Sequence, residues 1–282
     1  MPPQHLATPG DKFKIAKHDT AYTGDYANEE DATQALEAGV HRISELADRF
    51  NAQGSHALLV ILPGFDGAGK DTGITNVMSA IDPAELHVFS FNKPVGDEAD
   101  HDFLWRFHQQ TPARGRVHVF DRSYYEEVIS ARVHELIDDK QTRSRFESIN
   151  DFERILAREK TIILKFFLHV SKDKQYDRVR ERLLHRKKQH EFAAADVQDR
   201  ELWDDYDRAY ENAINHTSTE DSPWHVIPAD HRWYARIAVA EILEATLNDL
   251  DPQYPPLDED EVREAGLDPE EVLAEAEAEQ KA

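Results

Sequence analysis

The chain has 282 residues, 40% of them hydrophobic, which is enough apolar material for the core of one large or two small domains. It contains no cysteine, which excludes a disulfide framework, a thiolate metal site and thiol catalysis. The formal net charge is −23 at pH 7, and residues 251–282 carry −10 of it, with twelve Asp or Glu against Arg263 and Lys281.

The N-terminal residues 1–27 are rich in Pro, Gly, Asp and Thr and show no periodicity, which predicts an extended arm. They lack the basic and then apolar pattern of a signal segment, and no apolar run approaches the ~20 residues of a membrane span, so we expect a cytoplasmic protein. An amphipathic helix over residues 29–50 opens a single domain predicted to span residues 28–250.

The next element is a buried strand, predicted by the apolar run from Ala57 to Leu62 and ended by Pro63. It leads into a Gly-x4-Gly-Lys pattern and then a helical stretch at residues 74–81. This order matches a phosphate-binding loop, in which glycines let backbone N–H groups face an anion and the helix N-terminus adds its positive end. The residues of the pattern are Gly64, Gly67, Gly69 and Lys70.

Two acidic residues depart from the usual loop. Asp71 follows Lys70 where Ser or Thr usually contacts Mg²⁺, and Asp66 lies inside the loop, where it would repel phosphate unless a metal or a proton intervened. An ordinary glycine turn is the structural alternative for this pattern.

Four more strands are predicted at residues 86–91, 116–120, 161–168 and 224–227, with helical segments between them. This alternation predicts a three-layer αβα fold with a five-stranded parallel sheet. Ligands bind beyond the carboxyl ends of such strands. Residues 64–70, 92–93 and 121–122 should therefore meet in one crevice.

Asp121 and Arg122 follow the third strand, Arg116 to Phe120. A carboxylate at a strand end can hold Mg²⁺, and an arginine can clamp a phosphoryl group with two parallel N–H groups. Phosphoryl transfer needs alignment and positive charge more than covalent chemistry, and Lys70 would add a second cation. A strand-end salt bridge is the alternative for this pair.

A basic segment follows the fourth strand. Residues 178–188 hold six Arg or Lys and one acid, and Arg178, Arg182 and Arg186 would form one stripe on a helix. Such a stripe is typical of a lid that closes on a polyanion, although a solvated helix face is the simpler alternative.

Five blocks of sequence, taken together, resemble the family-2 polyphosphate kinases. They are Gly-Phe-Asp-Gly-Ala-Gly-Lys-Asp (64–71), Asp-His-Asp-Phe-Leu-Trp-Arg (100–106), Phe-Asp-Arg-Ser-Tyr-Tyr-Glu (120–126), and the stretches 164–173 and 223–230. The resemblance implies a thymidylate-kinase-like P-loop kinase fold with a helical lid at about 174–194. It also implies Mg²⁺- or Mn²⁺-dependent, reversible phosphoryl transfer between inorganic polyphosphate and AMP, ADP or ATP, with guanine nucleotides as further candidates, in a homodimer or homotetramer with no nucleic-acid or membrane partner.

The resemblance also suggests roles for individual residues. Asp66 and Asp121 would be the catalytic acids at the metal, and Lys70 and Arg122 would contact the transferring phosphate. Glu126 is similar to the residue at this position in the branch of the family that accepts both nucleoside mono- and diphosphates. The remaining assignments are phosphate or polyphosphate contacts at Gly64, Gly67, Gly69, Lys93, Arg178, Arg182, Lys187 and Lys188, and a nucleotide contact at Arg132.

The chain departs from the family pattern at Thr72-Gly73, where the order is reversed, and at Glu191, where relatives often carry a lysine. Two alternative functions stay open at this stage. One is an ATP-dependent nucleoside monophosphate kinase, and the other is a non-catalytic protein that binds polyphosphate or nucleotide. The acidic tail at residues 251–282 is expected to be a loose helix or disordered.

Overall fold

A computed structural model describes residues 5–64, 75–192 and 194–279. These residues contain six strands, and all five predicted ones agree with the structure to within one residue at each end. The strands are β1 (Leu6–Ala7), β2 (Ala57–Leu62), β3 (Leu86–Ser90), β4 (Val117–Asp121), β5 (Thr161–His169) and β6 (Trp224–Pro228).

Twelve α-helices lie in the described ranges, and three of them, α1, α6 and α10, have nineteen or more residues. None of the helices in this part of the chain could span a lipid bilayer. The helices are α1 (Glu29–Gln53), α2 (Thr75–Met78), α3 (Asp97–Asp100), α4 (Trp105–His108), α5 (Ser130–Val133), α6 (Asp139–Arg158), α7 (Lys172–Leu184), α8 (Ala194–Gln198), α9 (Trp203–Thr217), α10 (Arg232–Leu250), α11 (Glu259–Glu264) and α12 (Pro269–Glu279).

The six strands form one mixed sheet in the order β1-β6-β5-β2-β4-β3. Strands β2 to β6 are parallel, but β1 pairs antiparallel with β6, Leu6 opposite His225 and Ala7 opposite Trp224. The prediction of five parallel strands was therefore wrong by one antiparallel edge strand. A strand of two residues within a Pro- and Gly-rich segment is too short to show an alternating pattern. It forms because the edge of β6 offers unpaired backbone groups.

The parallel strands carry apolar side chains on both faces, which places the sheet between two helical layers. In β2, Leu58, Val60 and Leu62 pack with the residues of α1 and α10, whereas Leu59 and Ile61 pack with those of α6 and α9. All five side chains are at most 3% exposed. The predicted three-layer α/β architecture is confirmed.

The basic segment is less helical than predicted. Helix α7 ends at Leu184, His185 takes an extended conformation, and residues 186–191 form a short 3-10 helix. Residues 185–191 include no apolar side chain, and most helical stability in proteins comes from burying an apolar face. The predicted stripe therefore does not continue in register from Arg182 to Arg186.

Candidate active site

A cavity of about 830 Å³ opens beyond the carboxyl ends of β2, β3 and β4. Its lining includes Gly64 after β2, Lys93 after β3, and Arg122 and Glu126 after β4. The parallel register sets Leu62 and Ser90 on either side of Asp121, so these three strands end at the same level. The structure thus brings together the described residues of the three segments that were expected to converge.

Asp121 and Arg122 are held at the centre of this edge. The Ser90 hydroxyl lies 3.4 Å from Asp121 Oδ2, and the Arg122 N–H donates to the Leu62 carbonyl at 3.2 Å. Arg122 has a φ of 59°, a left-handed conformation that is uncommon for a residue with a long side chain. Such backbone is stable only where several surrounding contacts fix it, and it is often found at functional sites.

Gly64 has a φ of +138°, at the point where the chain leaves β2. A side chain at this φ would be strained, and glycine allows the chain to turn there without that cost. The rest of the predicted phosphate loop, including Asp66, Gly67, Gly69 and Lys70, lies outside the described residues, as do Asp71, Thr72 and Gly73. Their predicted roles stay predictions.

The two predicted nucleotide contacts lie in different places. Glu126 lines the cavity of about 830 Å³ and accepts a hydrogen bond from the Ser123 N–H at 2.5 Å. Arg132 instead lines a separate open groove of about 1000 Å³, where its Nε donates to Asp139 Oδ1 at 2.7 Å. The two cavities adjoin at His134, which lines both of them, and the predicted contact at Arg132 stays a prediction.

The predicted lid cations differ in exposure. Arg178 is 5% exposed and donates through Nη2 to the carbonyls of Ala229 and Asp230, beyond the carboxyl end of β6. Burial lowers the pKa of Arg178 to about 10, which still leaves it charged at pH 7. Arg182 and Lys188 are half-buried, and Lys188 lies 3.3 Å from Glu181, whereas Lys187 is exposed.

Arg106 is a cavity residue that the prediction missed. It is 8% exposed, donates to the Asn92 carbonyl at 2.6 Å, and lies 3.1 Å from Glu127 Oε1 and 4.7 Å from the centre of the Phe107 ring. It thereby joins the segment after β3 to the residue beside Glu126. The sequence feature that could have indicated Arg106 is its position at the end of the otherwise apolar block Phe-Leu-Trp-Arg.

The lining of the cavity also includes a polar group centred on Tyr206. Its hydroxyl lies 3.2 Å from both His134 Nε2 and Asp199 Oδ2, and His134 lies 3.3 Å from the second oxygen of Asp199. Burial raises the pKa of Tyr206, which keeps the hydroxyl protonated and able to donate. The helical spacing of Tyr206 and Tyr210 predicts that both are core residues. Both are buried, and they also line the cavity.

The donor set at the strand ends suits a hard divalent cation. Within the described ranges, His, Asp and Glu form no cluster of three or more that could hold a metal by itself. Mg²⁺ is commonly bound through one or two carboxylates together with substrate phosphates, and it needs no closed protein cage. Asp121 accepts from the Ser90 hydroxyl beside a cavity whose lining includes Lys93 and Arg122, and it fits that mode.

Comparison with known proteins identifies the family. The model of Polyphosphate kinase 2 (PPK2) matches residues 26–255. The chain is 42% identical over 253 residues to an AMP/ADP-polyphosphate phosphotransferase of Meiothermus ruber, covering 89% of this chain and 95% of that protein. It is 40% identical over 258 residues to an ADP-polyphosphate phosphotransferase of Rhodopseudomonas palustris, covering 87% and 89% respectively.

The fold gives the same result. The crystal structure of Polyphosphate Kinase 2 from Arthrobacter aurescens TC1 superposes with a TM-score of 0.86 at 39% identity and covers 90% of this chain and 91% of that one. The resemblance inferred from the five sequence blocks is confirmed. The chain belongs to the polyphosphate kinase 2 family and is a polyphosphate-dependent phosphotransferase.

Proposed function

We propose that the protein transfers phosphoryl groups reversibly between inorganic polyphosphate and adenine nucleotides, converting ADP to ATP and AMP to ADP. The observation that carries this proposal is the cavity of about 830 Å³, where Lys93, Arg122 and Glu126 meet at the carboxyl edge of the sheet. The relatives named as AMP/ADP- and ADP-polyphosphate phosphotransferases support this choice of substrates.

Arg122 and Asp121 are the proposed centre of the chemistry. The backbone bond from Arg122 to Leu62 ties the end of β4 to the strand that leads into the predicted phosphate loop. The Arg122 guanidinium would neutralise charge on the transferring group, and Asp121 would hold Mg²⁺ together with Asp66 and would orient the attacking oxygen. The bound metal supplies charge neutralisation on the phosphoryl oxygens.

The two substrates are proposed to enter from different sides. Glu126 and the Tyr206 group line the cavity, which is the proposed nucleotide side. Helix α7 and the following 3-10 segment carry the cations proposed for polyphosphate, within a lid at about 174–194. Arg178 would act from the end of β6, and Lys187 from the exposed surface.

The decisive experiment is an assay without ATP. Purified protein with Mg²⁺ and polyphosphate is expected to convert ADP to ATP and AMP to ADP, measured by separating the nucleotides; GMP and GDP are assayed separately for guanine use. Absence of product, together with turnover of ATP plus a monophosphate, would establish the ATP-dependent nucleoside monophosphate kinase instead. Binding of both ligands without turnover would establish a binding protein, and sedimentation of the same sample tests the proposed homo-oligomer.

The lid proposal predicts a salt-sensitive effect. Arg182→Glu is expected to raise the KM for long polyphosphate by roughly tenfold at low ionic strength, because one cation becomes an anion facing a polyanion. The effect should shrink as salt is added, with kcat for the nucleotide little changed. Arg154→Glu on α6, which removes an exposed cation paired with Asp151 at 2.7 Å, is the matched control. Equal effects in both variants, or an effect that salt does not alter, would contradict the lid assignment.

A further inference from the structure

A fully buried ion pair lies beneath the loop that carries Asp121 and Arg122. Lys165 in the middle of β5 is 0% exposed, Glu153 on α6 is 1% exposed, and Lys165 Nζ lies 2.7 Å from Glu153 Oε2. Neither residue lines the cavity of about 830 Å³. Any effect of the pair on the cavity therefore has to pass through the residues that it contacts.

The carboxylate of Glu153 accepts hydrogen bonds from four groups. Tyr124 and Tyr125 donate their hydroxyls to Oε1 at 2.9 and 2.8 Å, and Ser222 and Lys165 donate to Oε2, each at 2.7 Å. Lys165 in turn donates to the Tyr125 hydroxyl at 3.0 Å and to the Thr217 carbonyl at 2.6 Å. Every donor of Lys165 and both oxygens of Glu153 are thus in use.

Stability alone is a weak reason for this arrangement. Taking two charges out of water costs several kcal/mol for each ion, and apolar residues of similar volume often replace such a pair with no loss of stability. Burial lowers the pKa of Lys165 and raises those of Tyr124 and Tyr125 well above their ordinary values, so both hydroxyls stay protonated and continue to donate. What the network adds over an apolar core is a fixed direction for the two tyrosines.

Those tyrosines follow directly after the strained turn. Arg122 has a φ of 59° and is tied to Leu62, and the Tyr125 N–H donates to Ser123 Oγ at 3.2 Å. Tyr124 and Tyr125 are both 0% exposed. The turn is therefore anchored at one end by β4 and β2 and at the other by two hydroxyls that converge on one carboxylate oxygen.

We infer that Glu153 and Lys165 are positioning residues for phosphoryl transfer, because they fix Tyr124 and Tyr125 and thereby hold Arg122 and Asp121 in their reactive positions. This inference rests on the proposed catalytic roles of Asp121 and Arg122. It predicts a larger effect on the chemical step than on nucleotide binding, because Asp121 and Arg122, the residues that the pair would position, are the ones proposed to act on the transferring phosphoryl group.

The test removes the two hydroxyls and keeps the rings. Tyr124→Phe/Tyr125→Phe is expected to lower kcat by roughly 10- to 100-fold, as small misplacements of reacting groups do, while the KM for ADP changes less than twofold. The matched control is Tyr234→Phe on α10. It also deletes the hydroxyl of a buried tyrosine, which is hydrogen-bonded to His5 Nε2 at 2.9 Å. Both variants are assayed well below their Tm values.

A kcat equal to that of the control would overturn the inference, and so would a parallel rise in KM. Glu153→Gln/Lys165→Met gives a second, independent test, because it replaces the ion pair by neutral groups of similar size; it should lower kcat in the same way, and a wild-type kcat would again overturn the inference. Failure of the wild-type protein to use polyphosphate would instead contradict the proposed function, so the two failures are distinguishable.

Discussion

Asp121→Asn is expected to lower kcat for ATP formation from polyphosphate and ADP by on the order of 10²-fold or more, as loss of transition-state electrostatics typically does. The substitution keeps the size of the side chain and its acceptor toward Ser90, but it removes the negative charge proposed to hold the metal. The measurement is steady-state turnover with saturating Mg²⁺, accompanied by Tm to verify folding. Asp66→Asn and Lys70→Ala are expected to show losses of the same order.

The matched control is Asp151→Asn on α6, an exposed carboxylate that pairs with Arg154. It makes the same change of charge at a residue that does not line the cavity of about 830 Å³, and it should leave turnover unchanged. Wild-type-like activity in all three site variants would reject the assignment of Asp66, Lys70 and Asp121, whatever the family membership.

Acidification is expected to destabilise the protein between pH 6.5 and pH 4 through three histidines around the β1–β6 edge. Burial lowers the pKa of His5, His169 and His225 to about 4. Neighbouring ionisable groups act in the same direction, His18 on His5 and His169, and His5 followed by Lys165 on His225. His225 is 0% exposed, and neither of its ring nitrogens has a hydrogen-bond partner among the described residues.

The sign follows from linkage. Above pH 6.5 these histidines are neutral in both states and contribute nothing to the pH dependence. Below pH 6.5 the unfolded chain binds protons that the folded chain excludes until about pH 4. The free energy of unfolding therefore decreases as the pH is lowered. For His225 the loss at pH 4 is on the order of 3 kcal/mol at most. Asp207 opposes this trend, because burial raises its pKa to about 6 and its folded form retains a proton.

The measurement is the free energy of unfolding by denaturant at intervals between pH 7.5 and 4. His225→Phe should flatten the curve, because it removes the titrating group from this region whatever its effect on stability at pH 7. His41→Gln, which changes a histidine with 78% of its side chain exposed, should leave the slope unchanged. Parallel curves for wild-type protein and His225→Phe would show that this histidine is not the source.

Local sequence patterns were sufficient for the parts of the fold that are buried on both faces. The runs predicted at 57–62 and 161–168 are apolar except for Thr161 and Lys165, and the structure places their ends within one residue of the prediction. The sequence pattern of residues 126–136 predicts one helix, but only Ser130–Val133 is α-helical in the structure. This segment follows Arg122, which has a left-handed backbone conformation. Tyr124 and Tyr125 are held by Glu153, more than 25 positions away in the chain.

The same limit applies to charged residues. Lys165 lies in an apolar run that gives no signal of its partner. Arg178 was predicted for the stripe of a lid, and it is buried against the residues that follow β6. Side-chain exposure depends on which elements pack together, and a helical period shows only which residues share a face. Arg106 was overlooked for the same reason, since its contacts with Asn92 and Glu127 join segments 14 and 21 positions away.

The sequence by itself determined the α/β class, the family and the edge of the sheet where polar residues meet. Strand ends and glycine patterns are local, and parallel strands bring their carboxyl ends to one edge. Only the tertiary structure decided that a sixth, antiparallel strand covers β6, that Arg132 faces a different groove from Glu126, and that a buried ion pair supports the Asp121-Arg122 turn. Each of these depends on contacts between residues distant in the chain, for which local spacing carries no signal.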